Sequence, residues 1–206
     1  SEKVEWYYYK ALIYFRIYDY ENALNSLKII DRKDSLYSSA IYLKARIYNA
    51  QSKNNLALKE MKRLLEIKES PRYYSGIAHV YAELNLYEEA LKSSEKAIEL
   101  EIRDKDKYLT MRGLNVHEKM GNYELAIDDY SLAIFYNPNN IKNYAARASA
   151  YQEIEKYNDA LSDYNKCLEI DSLYETALNN RALIFHEIGE TRLAINEMEK
   201  LIKIVK

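Results

Sequence analysis

The chain has 206 residues, 48 % of them hydrophobic, and its 30 basic and 32 acidic side chains leave a formal net charge of −2. That balance gives no electrostatic case for nucleic acid, and no apolar run approaches the roughly 18 residues of a membrane span. One cysteine, Cys167, excludes an internal disulfide and any cysteine-rich metal site, and 4 Gly with 2 Pro are too few for a fold of strands and tight turns.

Helices are therefore expected, and the chain announces them in sequence order. The first is an aromatic segment, Trp6-Tyr7-Tyr8-Tyr9, leading to Ala11 and Tyr14 and followed by Tyr20-Glu21-Asn22-Ala23-Leu24. The last of these motifs returns in degenerate form at Asn54 to Leu58, then as Tyr87-Glu88-Glu89-Ala90-Leu91, Tyr123-Glu124-Leu125-Ala126-Ile127 and Tyr157-Asn158-Asp159-Ala160-Leu161, and in degenerate form again at Thr191 to Ile195. Its alanines are Ala23, Ala57, Ala90, Ala126, Ala160 and Ala194, whose numbers differ successively by 34, 33, 36, 34 and 34. A period near 34 marks a repeat architecture.

Each period reads as two amphipathic helices: in the fifth, Tyr144, Ala148 and Tyr151 share one face, and Ala160, Tyr164, Cys167 and Leu168 another. Gly121 and Gly189 suit the reversal between the two helices. Ser70-Pro71 reads as an N-cap followed by proline at the first helical position, and Pro138 closes the fourth unit. With the recurring alanine as position 20, the units span 4–37, 38–70, 71–106, 107–140, 141–174 and 175–206 of one domain. Position 8 is small (Ala11, Ala45, Ala78, Ala148, Ala182) and position 11 aromatic (Tyr14, Tyr48, Tyr81, Tyr151, Phe185). The fourth unit departs, with Leu114 at position 8 and Gly113 one step early, which a one-residue slip in its first helix repairs. The wide interval between Ala90 and Ala126 predicts a lengthened loop over the charged segment 101–107.

This pattern resembles the tetratricopeptide-repeat family over nearly the whole chain. The resemblance implies an all-α, right-handed superhelical solenoid of about six helix-turn-helix repeats, and a protein-interaction scaffold, not an enzyme, that takes a peptide segment of a partner in a concave groove. The alternative is a regulatory or sensor module of a larger signalling protein. The family's ligand contacts come from first-helix positions 2, 5, 9, 12 and 13. Carried onto this chain they give Tyr8, Phe15 and Arg16, then Tyr42, Arg46 and Asn49, then Arg72 and His79. The fourth unit gives Tyr108 and Asn115, with Arg112 competing through the slip; the last two give Lys142, Gln152 and Asn179. Tyrosine and arginine carry interface energy often, and arginine pairs with carboxylates, so the first three units suit an acidic or C-terminal segment. The Lys/Asn carboxylate clamp of the chaperone-binding members has no match here at any starting unit.

No catalytic set, cofactor motif or metal-ligand spacing is present: His79, His117 and His186 have no partnering pattern. His117 at position 11 reads as a packing residue, Cys167 as core, and the adjacent Asp128 and Asp129 as solvated surface. Both ends, Trp6 to Tyr9 and Leu201 to Lys206, lack a polar cap, which predicts a longer array or weak homodimerisation through an end. No signal peptide is visible, but the chain begins with Ser1. The compartment therefore stays open between the cytoplasm, slightly favoured, and the cell envelope.

Overall fold

A computed structural model describes residues 2–204. Val205 and Lys206, part of the uncapped C-terminal run, lie outside the described residues. Twelve α-helices pair into six hairpins: α1 (Glu2–Arg16) with α2 (Tyr20–Leu27), α3 (Tyr37–Ala50) with α4 (Asn54–Ile67), α5 (Pro71–Glu83) with α6 (Tyr87–Leu100), α7 (Lys105–Arg112, extended by a π-helical turn, Gly113–His117) with α8 (Tyr123–Tyr136), α9 (Ile141–Glu153) with α10 (Tyr157–Ile170), and α11 (Glu175–Glu187) with α12 (Thr191–Ile204). No strand occurs among the described residues. The contacts divide the chain into two compact units of three hairpins each, Ser1–Leu100 and Glu101–Lys206.

The recurring alanines carry the packing. Ala23, Ala57, Ala90, Ala126 and Ala160 are fully buried, and Ala194 is 8 % exposed. At such points two helix backbones approach closely, and the large residues beside them fill the space. Tyr130 and Tyr164 are fully enclosed and still satisfy their hydroxyls, Tyr130 donating to Glu118 Oε1 at 2.6 Å and Tyr164 accepting from Asn180 Nδ2 at 2.8 Å. Tyrosine thus serves as a large core residue wherever a polar neighbour meets its tip.

One device closes every hairpin. Position 15 has left-handed backbone in all six units, at Tyr18, Ser52, Asn85, Gly121, Glu155 and Gly189. The next residue's N–H reaches back to the carbonyl of position 11, for example Asp19 to Tyr14 at 2.9 Å, Lys53 to Tyr48 at 2.8 Å and Glu190 to Phe185 at 2.7 Å. The left-handed residue's own N–H bonds the carbonyl of position 12, as Ser52 does to Asn49 at 2.8 Å. This pair of bonds is the Schellman cap, which satisfies the last carbonyls of the first helix. Four of the six caps use a residue other than glycine. At the other end of the unit, Pro71 sits in the first turn of α5 as its sequence predicts, but the Ser70 side chain makes no capping bond.

The fourth unit corrects one expectation. The segment joining α6 to α7 is residues 101–104, the same length as 137–140 and 171–174. Its Glu101 carboxylate gathers the N–H groups of Ile102 and Arg103 at 3.0 Å. The added length lies instead between the starts of α7 and α8, which are 18 apart where α5, α9 and α11 start 16 before their partners. Part of the excess is the π turn, where Glu118 N–H bonds the Gly113 carbonyl at 2.9 Å. That is the one-residue slip, and it seats Gly113 against Tyr130: a Cβ there would lie 2.6 Å from the ring. The slip is thus a helical bulge and not a longer loop.

Candidate functional site

The first helices of the N-terminal unit bring four of the expected residues into two stacks. The Arg46 guanidinium on α3 lies over the Phe15 ring on α1, 5.0 Å from its centroid. One hairpin further, Arg72 on α5 lies over Tyr42 on α3 at 4.0 Å, and the Tyr42 and Tyr73 rings are 5.9 Å apart. In each stack a cation of one hairpin covers an aromatic of the hairpin before it. Phe15 and Tyr42 rest on the apolar clusters beneath, so the rings are fixed by packing while Arg46 and Arg72 stay exposed. Neither arginine makes an ion pair among the described residues. A guanidinium held over a ring by cation–π attraction is restrained while its N–H groups can still donate.

Around these stacks, Tyr8 is half-buried against the first core cluster, and Arg16 is exposed. Asn49 is half-buried, with Oδ1 sequestered from solvent and without a hydrogen-bond partner. His79 Nε2 is 3.9 Å from Glu83 Oε1.

The C-terminal unit treats its expected residues differently. Tyr108 is 7 % exposed and belongs to the core, because the bulge shifts the register of α7 and places it where Asn143 and Ala177 are buried in the later hairpins. Arg112 is engaged within its own hairpin: its Nε donates to Asp129 Oδ2 at 2.8 Å and its Nη2 pairs with Oδ1 at 2.5 Å. Asp129 is 4 % exposed, so it is no solvated surface residue. Lys142 is exposed at a cleft of about 530 Å³ that Lys107, Thr110, Asn140 and Asn143 also line. Asn115, Gln152 and Asn179 make no side-chain hydrogen bond among the described residues, and nothing joins them into a constellation.

The Arg112–Asp129 pair belongs to a series that sequence reasoning missed. Arg147 pairs with Asp163 through two bonds of 2.8 Å and also donates to Ser131 Oγ at 2.9 Å. Arg181 reaches Glu197 at 3.1 Å, and Lys44 reaches Glu60 at 2.8 Å. Four hairpins thus join a cation of the first helix to a buried carboxylate at position 23 on the second. The cation stands at position 7 in three of them and, across the bulge, at position 6 in the fourth. Charge recurring at that fixed separation was the available signal. Desolvation by burial holds the His117 imidazole, 3.5 Å from Asp129, below its ordinary value; the carboxylate opposes this. Burial pushes the fully enclosed Cys167 thiol up to about 12, so it stays a protonated core group. Among the described residues no group of three or more His, Cys, Asp or Glu could hold a metal ion, and no helix is long and apolar enough to cross a membrane.

Stacked helical hairpins closed by a repeated cap define a helical-repeat fold of the scaffold type. Residues 71–101, 107–140 and 141–172 match the tetratricopeptide repeat family model. The chain thus carries tetratricopeptide repeats between residues 71 and 172. It is 36 % identical to human serine/threonine-protein phosphatase 5 over 90 residues, 44 % of this chain and 18 % of that protein. It is 29 % identical over 210 aligned positions to the DnaJ homolog subfamily C member 7 homolog of Schizosaccharomyces pombe, covering 88 % of this chain and 42 % of the other. The chain thus spans less than half the length of these relatives. Among solved structures, PilW, a type IV pilus biogenesis factor, superposes with a TM-score of 0.76 at 18 % identity over 100 % of both chains. YrrB, described as a TPR protein with an unusual peptide-binding site, does so with a TM-score of 0.57 at 20 % identity over 90 % of this chain and 91 % of its own. At such identities these likenesses concern the fold.

Proposed function

We propose that this protein is an interaction scaffold that captures a peptide segment of a partner on the first-helix face of its N-terminal unit. The observation that carries the reading is the pair of stacks, Phe15 with Arg46 and Tyr42 with Arg72. Aromatic and arginine side chains account for a large share of interface energy, and here they are ordered before any partner arrives. The exposed arginines suit carboxylates, so the segment is acidic or ends in a free carboxylate. The peptide-binding site of YrrB supports a peptide as the ligand class for this fold.

The test is affinity capture from the native lysate with the wild-type chain and with a variant carrying Tyr42→Ala, Arg46→Glu and Arg72→Glu, after circular dichroism has confirmed that the variant is folded. Loss of the partner from the variant alone is expected. Equal capture by both would overturn the assignment. A regulatory module within a longer polypeptide is the second reading, favoured by relatives of which the matching repeats cover 18 % and 42 %; an immunoblot of the native product at the mass of this chain alone would refute it.

A further inference from the structure

We infer that the second-helix side of the N-terminal unit holds a separate docking cleft for an acidic peptide segment with an aliphatic anchor. Its origin is the shortness of α2. That helix has 8 residues, where α4, α6, α8, α10 and α12 each have 14. Beyond Leu27 the chain runs through residues 28–36 as turns. A cleft of about 360 Å³ opens between this segment, α3 and α4.

The lining of the cleft has two characters. Leu27, Ile30, Ala40 and Ile41, each more than nine-tenths buried, form an aliphatic floor. Lys28, Arg32, Lys44 and Arg63 supply cations, against Asp31 and Glu60. The Glu60 carboxylate is already occupied, with Lys44 at 2.8 Å and Arg63 at 3.5 Å. Lys28 and Arg32 are exposed and make no ion pair among the described residues. An adjoining depression that shares Glu60 and Arg63 continues along α4 past Lys59 and Lys62. The near-neutral composition hides this concentration, because it forms only when the turn segment folds beside α4.

Charge complementarity calls for an anionic occupant, and the lining selects among anions. Single-stranded nucleic acid binds through rings on which bases stack. The ring that lines this cleft, Tyr37, is covered by the Arg63 guanidinium 5.3 Å from its centroid, and its hydroxyl accepts from the same arginine. An aliphatic side chain flanked by glutamates or aspartates fits both the apolar and the cationic parts.

The test is titration of the ¹⁵N-labelled protein with the synthetic peptide acetyl-Glu-Glu-Leu-Glu-Glu-Leu-Glu-Glu-amide, followed by amide shifts. Saturable shifts in residues 28–41 and along α4 are expected. Lys28→Glu with Arg32→Glu, at exposed positions, weakens the affinity read from those shifts by about tenfold or more, as does replacing both leucines of the peptide by serine. Shifts confined to α1, α5 and residues 42–50 of α3, no saturation by about 1 mM peptide, or equal affinity for a thymidine octanucleotide would overturn the inference.

Discussion

At the six hairpin turns one backbone conformation is imposed on six positions whose side chains differ widely. Left-handed backbone costs an L-residue about 1–2 kcal/mol, while glycine gives back part of any relief through its flexibility when unfolded. Ser52→Gly and Glu155→Gly should therefore each stabilise the fold by about 0.5–1 kcal/mol in urea denaturation. The reverse change, Gly121→Ala, should destabilise by about 1 kcal/mol; a Cβ there would meet nothing within 4 Å, so the effect is one of backbone alone. His117 makes a second residue-scale prediction. Below the ordinary histidine pKa of about 6.5 the unfolded chain binds a proton that the buried imidazole resists, so stability present at neutral pH is lost as pH falls through the lowered folded-state value. Glu118, raised by burial, acts in the opposite sense because the folded state holds its proton more tightly. Comparison with His117→Phe separates the two: the melting temperature of the wild type should fall further than that of the variant between about pH 7.5 and 5.5. Parallel profiles would contradict the burial argument. At this scale the sequence was legible where a residue type has one physical use. Small alanines and the core cysteine were readable; Asp129 was not, because a carboxylate reads as surface until its buried partner is known.

The elements show why the period was legible and the polar interior was not. Close backbone approach demands a small residue once per hairpin, and that demand writes itself into the sequence at every repeat. The ion pairs obey the same period, but each member alone looks like an ordinary helix-surface charge. Only the recurrence of a cation and an acid at one fixed separation distinguishes them, and the bulge widens that separation by one in the fourth hairpin. The same bulge explains the burial of Tyr108 and the pairing of Arg112 with Asp129: one added residue rotates part of α7 by about 100° relative to an unbroken helix. Removing one member of a buried pair leaves the other charge unmatched, so Arg147→Ala should cost about 3–5 kcal/mol in chemical denaturation. The double change Arg147→Met with Asp163→Leu should cost less than the single one. A larger loss in the double variant would show that the pair stabilises beyond removal of an unmatched charge.

For the whole molecule, hairpins that pack mainly on their neighbours make a scaffold whose surface can vary while its core repeats. The sequence was sufficient for fold class and hairpin number. It reached only part of the candidate site, since Phe15, Tyr42, Arg46 and Arg72 meet as stacks whereas the later positions do not converge. The short α2 escaped notice because its motif, Tyr20 to Leu24, is intact; what is absent is the second half of the helix, which no recurring motif marks. The central claim is that a partner lies on the first helices of the N-terminal unit. Its most direct test is site-specific photo-crosslinking in the native organism, with benzoylphenylalanine placed at Ala50, exposed at the end of α3, or at Glu95, exposed on α6. A partner captured through Ala50 and not through Glu95, and lost when Arg46→Glu and Arg72→Glu are added, is the predicted result. Capture through Glu95 alone, or capture at Ala50 that survives both arginine changes, would contradict it.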